Sequence, residues 1–411
     1  MKCHGKRPMA LFLALALVVS LCLGCGTNGD DERVTITIGY MTDYTGSAAS
    51  AVASINYGVL DATRYYSEEG LVSGARLKLE SWDARMDTSK TIPGYEWLRD
   101  RGAELILSLI TQDGVLLKPV ADRDKFPIFS MTTNEQITEP PGWEFCFSNR
   151  ADQVMATLLK WVSEKHWDYG KGVPKIGFVG WNDPSAVEVE KGMSGYCQAH
   201  PGEFDYVHGY LPPVGTVMYS AEVEGLKDCD YVCAYAISGA DFIKQYTAKG
   251  YETTYLDPAT DMSIAGYVLA RAGWEAVDGM LTAASSLTWS EPYPVVDFAR
   301  LLLDTYRPGE ADAIVDEGTG YVSGGVVPMV FMLSILQKAV EQVGAENLNS
   351  QAIYDAAVEY RVSGTTLEGF PQWGFSQTKR YLYDDLQVFE WDAAGKEFVM
   401  VQDWIPLVTE W

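Results

Sequence analysis

The side chains best suited to chemistry are hydroxyl, amide and carboxyl groups that follow apolar segments. Thr132 and Thr133 come directly after the apolar segment 127–131, where their hydroxyls and free backbone N–H groups could bind a carboxylate. The alternative interpretation is an ordinary Thr/Asn turn. Other candidates at comparable positions are Thr111, Gln112, Asp113, Trp181, Ser185, Tyr235 and Asp257.

Patterns that would carry covalent chemistry or hold a metal are missing. The sequence has no Gly-rich phosphate-binding loop and no strand-turn nucleophile motif. The four histidines and the scattered cysteines show no metal-ligand spacing. We therefore expect a protein that is not an enzyme and that needs no cofactor or metal.

Strand and helix patterns alternate along the chain and would position these polar residues at strand ends. Strands are predicted at 34–41, 76–82, 104–110, 127–131, 175–180, 231–236, 254–256 and 279–284. Helices are predicted at 47–66 with Ser47 as cap, 92–101, 116–122, 152–165, 186–200, 240–249, 295–306, 326–343 and 350–360. This alternation predicts parallel sheets covered by helices, with ligands at the carboxyl ends of the strands. Alternating segments at 382–391 and 398–404 predict a C-terminal hairpin.

The N-terminus has the pattern of an export signal. Three basic residues precede the apolar run 11–23, which is followed by Gly24 and Cys25. The run is shorter than the roughly 20 residues of a membrane-spanning helix, although a retained short anchor is the alternative. Leu-Gly-Cys resembles a bacterial lipobox, with Cys22 where Leu or Val is usual. This implies a signal peptide 1–24, a lipid on Cys25 and a flexible tether 25–33.

Acidic residues dominate the charge. The chain has 31 Lys and Arg against 56 Asp and Glu, a net charge of −25. Residues 1–24 contain three basic and no acidic residues, so the remaining chain carries −28. Such a surface repels nucleic acid and anionic lipid headgroups, which excludes nucleic acid as a partner and leaves the lipid as the one membrane contact.

Export permits disulfides among the four cysteines that remain after the signal and Cys25. Cys229 and Cys233 would be about 13 Å apart in an extended segment, too far for a bridge. A Cys197–Cys229 disulfide stays open.

Short motifs spread along the chain carry a family resemblance. Asp-Tyr-Thr-Gly at 43–46 follows the first strand, Lys-Phe-Pro-Ile-Phe-Ser at 125–130 precedes Thr-Thr-Asn, and Phe-Cys-Phe-Ser-Asn-Arg-Ala-Asp-Gln occupies 145–153. Their order resembles the branched-chain amino acid/amide family of substrate-binding proteins of ABC importers, over essentially the whole mature chain. The resemblance implies the type I periplasmic binding protein fold: two doubly wound parallel-sheet α/β lobes joined by three crossings.

The resemblance also implies where the chain crosses between the two lobes. The crossings would lie near 147–149, 284–288 and 373–379. Lobe 1 would comprise 34–148 and 288–372, and lobe 2 would comprise 149–287 and 373–411.

The resemblance implies a ligand in the cleft between the lobes. Thr133 is the best match to a family ligand residue, whereas Thr-Gln-Asp at 111–113 replaces a Ser-rich loop and indicates a changed ligand. Tyr44 would cover an apolar group. The alternative in each case is a solvated loop residue.

In lobe 2, Tyr235 would meet the aliphatic part of the ligand, and Asp257 or its competitor Asp261 would pair with an ammonium group. Trp181 either lines the cleft or packs under its loop, and Tyr321 weakly matches a family aromatic position.

These features predict a monomeric, exported protein, lipid-anchored at the outer face of the cytoplasmic membrane. It would capture a small polar organic ligand, such as an amino acid, amide or related acid, and deliver it to ABC permease subunits. The alternative is an extracytoplasmic sensor of the same fold that feeds a signalling receptor.

Overall fold

Twelve strands are present in the computed structural model, which describes residues 33–258, 262 and 264–411. The strands are β1 (Val34–Thr42), β2 (Ala75–Asp83), β3 (Ala103–Ser108), β4 (Ile128–Ser130), β5 (Glu144–Cys146), β6 (Lys175–Val179), β7 (Asp205–Tyr210), β8 (Tyr231–Ala234), β9 (Thr254–Asp257), β10 (Leu281–Ala284), β11 (Asp385–Asp392) and β12 (Glu397–Pro406). They form two separate sheets.

The first sheet has five strands in the order β2-β1-β3-β4-β5, all parallel. The second has seven in the order β12-β11-β10-β9-β8-β6-β7. Its strands pair in parallel except at β10–β11 and β11–β12, which are antiparallel. The predicted C-terminal hairpin is therefore β11–β12, at the edge of the second sheet.

Thirteen α-helices connect or cover the strands of the described chain. They are α1 (Ala53–Glu68), α2 (Thr91–Asp100), α3 (Thr111–Asp124), α4 (Glu135–Thr138), α5 (Ala151–Trp161), α6 (Pro184–Ala199), α7 (Ser220–Leu226), α8 (Ala236–Ala248), α9 (Ala265–Ala272), α10 (Pro294–Tyr306), α11 (Ala311–Asp316), α12 (Val327–Val343) and α13 (Ser350–Val358).

Both faces of the central strands of each sheet are buried, as in doubly wound folds. In β3, Leu105 and Leu107 pack into one core with α1, α10, α12 and α13, while Ile106 between them packs into another with α2 and α3. In β8, Tyr231 and Cys233 face α5 and α6, whereas the residue between them faces α7, α8 and α9. Successive strand side chains point to opposite faces, so apolar residues at every position are expected for such strands.

The central helix of the first core is unusually apolar. The stretch Gly320–Val343, which includes α12, is long and apolar enough to cross a membrane by length and composition alone, but 89% of its most apolar window is buried inside the protein. Gly58 lets α1 approach this stretch, because a Cβ there would lie 2.5 Å from the Tyr321 carbonyl oxygen. We therefore interpret it as a core helix.

Three crossings connect the two halves and meet one another. The chain passes from the first core to the second around Asn149, returns around Ser285, and passes again around Asp385. Ser285 Oγ lies 2.7 Å from Asn149 Oδ1 and 2.6 Å from the Asp385 carbonyl oxygen. One buried cluster of hydrogen bonds thus joins all three crossings.

The third crossing lies later than expected. Trp373, Phe375, Leu382 and Tyr383 pack in the first core, which favours a crossing after Tyr383 rather than at 373–379. The lobe boundaries at 34–148 with 288–372, and 149–287 with 373–411, stay predictions.

Several sequence expectations were wrong in detail. Ser47 does not cap α1, because the Asp43 carboxylate accepts the backbone N–H groups of Gly46 and Ala48 and the helix begins at Ala53. Helix α3 begins at Thr111, not at 116, so the expected ligand loop is its first turn. The question left open for Cys197 and Cys229 is answered as well, because both are free and buried, with no disulfide between them.

Candidate ligand-binding cleft

A cavity of about 160 Å³ lies between the two sheets. Its walls are residues that follow the carboxyl ends of β1, β2, β3 and β4 on one side and of β6, β8 and β9 on the other. Parallel sheets place ligands at such strand ends because loops and helix N-termini converge there.

The first sheet contributes three polar side chains to the cavity: Thr111, Gln112 and Thr132. Thr111 opens α3, which has no side-chain cap, and in its first turn the backbone N–H groups of Asp113 and Gly114 donate to the Ile110 carbonyl oxygen. Thr132 Oγ1 is buried and has no hydrogen-bond partner in the protein. This side therefore contributes hydroxyl and amide groups that can both donate and accept hydrogen bonds.

The second sheet contributes Asp183, Ser185 and Tyr235. Asp183 is the N-cap of α6, and its Oδ1 accepts the backbone N–H groups of Ser185 at 2.9 Å and Ala186 at 3.0 Å. Burial raises the pKa of Asp183 above its usual value. Ser185 Oγ and the Tyr235 hydroxyl are 2.6 Å apart, so one of these hydroxyls donates a hydrogen bond to the other.

Aliphatic side chains form most of the remaining wall, and residue-by-residue reasoning did not single them out. They are Ala48, Val52, Ile55, Met86, Leu109, Ile110, Ala236, Ile237 and Ile264. An apolar helical residue such as Ile55 is normally assigned to the core. Its position could have identified Ile237 as a wall residue, because it comes two residues after the candidate Tyr235 at a strand end.

Ala236 has an unusual backbone. Its φ is +54°, in the left-handed region, which costs a non-glycine residue roughly 1–2 kcal/mol. It is the first residue of α8 and lines the cavity. Such strain is tolerated where the surrounding structure imposes it, often at a binding site.

Three predicted site residues of the first half lie elsewhere. The Tyr44 hydroxyl donates to Ser81 Oγ at 3.2 Å, and its ring is outside the cavity wall. Asp113 accepts from Thr91 Oγ1, is fully buried away from the cavity, and has a pKa raised by this burial to about 6. Thr133 is buried beside the wall, and its Oγ1 has no partner in the protein.

Three further predicted residues also lie outside the wall. Trp181 packs under its loop, where its Nε1 donates to the Thr216 carbonyl oxygen at 2.9 Å. Tyr321 belongs to the first core, and its hydroxyl donates to Asp61 Oδ2 at 3.0 Å. Asp257 ends β9 and is 4% exposed. Asp261 and Cys25 lie outside the described residues.

Polar contacts join the two halves beside the cavity. Asn134 Nδ2 donates to the Pro184 carbonyl oxygen at 2.9 Å, and the Glu135 backbone N–H donates to Glu188 Oε2 at 3.1 Å. Lys191 Nζ lies 2.6 Å from Glu135 Oε2. These contacts connect α4 of the first half with α6 of the second, so the two halves touch across the cleft.

No group of three or more His, Cys, Asp or Glu residues within 33–258 and 264–411 is arranged to hold a metal ion.

Comparisons with known proteins agree with this architecture. The family model described as periplasmic binding protein matches residues 35–396. A branched chain amino acid ABC transporter protein from Thermus thermophilus with bound valine is 17% identical with a TM-score of 0.77, over 91% of this chain and 97% of that chain.

Two other solved structures are similarly related. A fatty acid ABC transporter substrate-binding protein from Thermomonospora curvata is 17% identical with a TM-score of 0.76, over 90% of this chain and 92% of that chain. A solute-binding protein from R. palustris in complex with benzoate is 16% identical with a TM-score of 0.72, over 92% of this chain and 98% of that chain.

No curated protein sequence matches the chain. The family model nevertheless spans most of its length and agrees with the two-sheet architecture. The chain belongs to the periplasmic binding protein family.

Proposed function

We propose that this protein is the solute-binding component of an ABC importer. It captures a small organic ligand in the cavity between the sheets and delivers it to permease subunits in the membrane. The observation that carries the proposal is the cavity itself, because strand ends of both halves supply its wall. A ligand held by both halves favours their closed arrangement, which a permease can distinguish from the open one.

The proposed ligand residues are those that meet at the cavity: Thr111, Gln112, Thr132, Ser185 and Tyr235. Valine, fatty acids and benzoate, the ligands named for the similar structures, all carry a carboxyl group. An organic acid is therefore the first ligand class to test, with amides next.

Family membership implies an extracytoplasmic location. We further propose that Cys25 carries the lipid that holds a monomer at the outer face of the cytoplasmic membrane. Cys25→Ala should release the protein from the membrane fraction or block its processing, as seen by cell fractionation. Wild-type protein found in the cytoplasm with Met1 retained would contradict this location.

A thermal-shift screen over amino acids, amides and aliphatic and aromatic acids tests the binding function. A ligand at 100 times its dissociation constant should add about 2.7 kcal/mol to the free energy of unfolding. Ala48→Phe should abolish this stabilisation by filling the cavity, whereas the exposed Met218→Phe should keep it. Stabilisation of both variants alike would place the site elsewhere, and no stabilisation of wild type by any solute would count against the function.

Uptake measurements separate import from sensing. Deleting the gene should abolish cellular uptake of the ligand found in the screen. Normal uptake with a lost transcriptional response would favour the sensor.

A further inference from the structure

A second cavity lies beside the crossings and shares no wall residue with the cleft. It has a volume of about 590 Å³ and opens between the loop that follows β10 and the hairpin β11–β12. Its polar and larger apolar wall residues include Glu291, Tyr293, Glu368, Gln387, Met400 and Asp403. No Lys, Arg or His is part of this wall, so its three carboxyl groups have no balancing cation among the wall residues.

Gln387 gives this cavity an unused acceptor. The residue lies in β11, is fully buried and lines the cavity. Its Nε2 donates to Asp403 Oδ1 at 3.2 Å, which fixes the direction in which the amide points. Its Oε1 has no hydrogen-bond partner in the protein. Because burying an amide oxygen without a donor is unfavourable, an N–H group from outside the chain would be stabilising here.

Glu291 gives the cavity a second unused acceptor. This side chain is buried, and its Oε2 accepts the Thr288 backbone N–H at 3.1 Å, whereas its Oε1 has no partner in the protein. Burial raises the pKa of Glu291 to about 7, and the Asp403 carboxyl adds to the rise. A buried carboxyl has a raised pKa when no cation compensates its charge. A cation in the cavity would supply that compensation.

An organic ammonium ion suits this wall better than a metal ion. An ammonium group carries three N–H donors, and the unused oxygens of Gln387 and Glu291 are both acceptors. In the part of the chain that the structure describes, no group of three or more carboxyl, thiol or imidazole side chains is arranged to hold a metal. The ring of Tyr293 and the side chain of Met400 offer apolar contact to an alkyl chain, and the ring face also attracts a cation.

We propose that this cavity binds an aliphatic diamine. One ammonium group donates to Gln387 Oε1 and Glu291 Oε1, and the carbon chain lies against Tyr293. The second ammonium group lies near Glu368 and Asp403, which are exposed at the rim of the cavity. This site is separate from the capture of a solute in the cleft.

Calorimetry on the mature wild-type chain tests the proposal, with 1,4-diaminobutane as the probe and 1,4-butanediol as its uncharged counterpart of equal chain length. At pH 8 most of Glu291 is ionised, and we expect the diamine to bind and the diol not to bind. Glu291→Gln should weaken diamine binding by at least about tenfold, since it removes the charge of a buried acceptor. Glu96→Gln, which removes an exposed carboxyl on α2 outside this wall, should bind the diamine as wild type does.

Two further variants separate this site from surface charge and from the cleft. Asp403→Asn changes an exposed rim residue and should weaken diamine binding several-fold, which keeps the proposal testable if Glu291→Gln fails to fold. Ala48→Phe, which fills the cleft, should bind the diamine as wild type does.

No binding of the diamine, or equal binding of the diol, would overturn the proposal. Unchanged affinity of a folded Glu291→Gln or Asp403→Asn variant would overturn it as well, as would an equal loss in Glu96→Gln. Loss of diamine binding in Ala48→Phe but not in Glu291→Gln would place the diamine in the cleft and contradict the proposal, while leaving the solute-binding function standing.

Discussion

Glu144 makes the stability of the first half depend on pH. It lies in β5, is fully buried, and accepts a hydrogen bond from Ser130 Oγ, while its Oε2 has no partner in the protein. Burial raises its pKa from 4.5 to about 8. The side chain sits under α3, since a Cβ on Gly114 would approach its Oε1 to 2.7 Å.

The raised pKa of Glu144 determines the direction in which stability changes with pH. In the unfolded chain Glu144 ionises near pH 4.5, whereas in the folded protein it holds its proton up to about pH 8. The folded state therefore loses stability relative to the unfolded state as pH rises across this window, and keeps it below pH 4.5. The full shift corresponds to about 5 kcal/mol, an upper limit that relaxation and water entry reduce to a few kcal/mol.

Glu144→Gln should remove this loss, because the amide is neutral at every pH and its oxygen still accepts from Ser130. Urea unfolding followed by tryptophan fluorescence at pH 4, 6 and 8 measures the effect. The variant should be close to wild type at pH 4 and a few kcal/mol more stable at pH 8. Glu96→Gln, exposed on α2, should follow wild type throughout. A constant difference between Glu144→Gln and wild type over this range would refute the reasoning.

Three other variants test separate parts of the molecule. Ile237→Ala should weaken binding of the best ligand by about 1–2 kcal/mol, or about five- to thirtyfold in Kd by calorimetry, through lost apolar contact; an unchanged Kd would contradict its place in the wall. Ser285→Ala should lower the free energy of unfolding by about 1–2 kcal/mol in urea, since it removes the hydroxyl proton that Asn149 Oδ1 and the Asp385 carbonyl oxygen share. Unchanged stability would show that this hydrogen bond does not hold the crossings together. Trp391→Phe should lower the free energy of unfolding by about 1 kcal/mol in the same assay, because Trp391 Nε1 donates to buried Thr282 Oγ1 at 2.8 Å. The double variant with Thr282→Val should lose less stability than the sum of the two single variants, because both remove the same hydrogen bond.

The fold was largely predictable because both faces of the central strands are buried. Apolar strand segments such as 104–110 and helical spacing along 326–343 reflect that burial directly. Edge strand β7 was missed, since all six residues of Asp205–Tyr210 are partly or fully exposed and the segment lacks the apolar pattern. The cap of α1 was misplaced because Asp43 reaches backbone N–H groups three and five residues ahead.

The cavity was less predictable. Polar residues just past strand ends were found because position and residue type coincide there, as for Thr132 and Ser185. Trp181 has the same signal, and Tyr321 was a candidate only through the family resemblance, but both side chains turn toward other protein groups. Ile237 and Ile264 give no polar signal, and only packing of one half against the other makes them part of a binding wall.

Hydrogen–deuterium exchange of the wild-type protein, with and without the ligand found by screening, tests the central claim most directly. Binding between the halves should slow exchange at 109–112 and 132–135 on the first side and at 183–186 and 235–238 on the second, at the same ligand concentration. Protection confined to one half, or centred on the separate surface cavity at 359–367, would contradict the account.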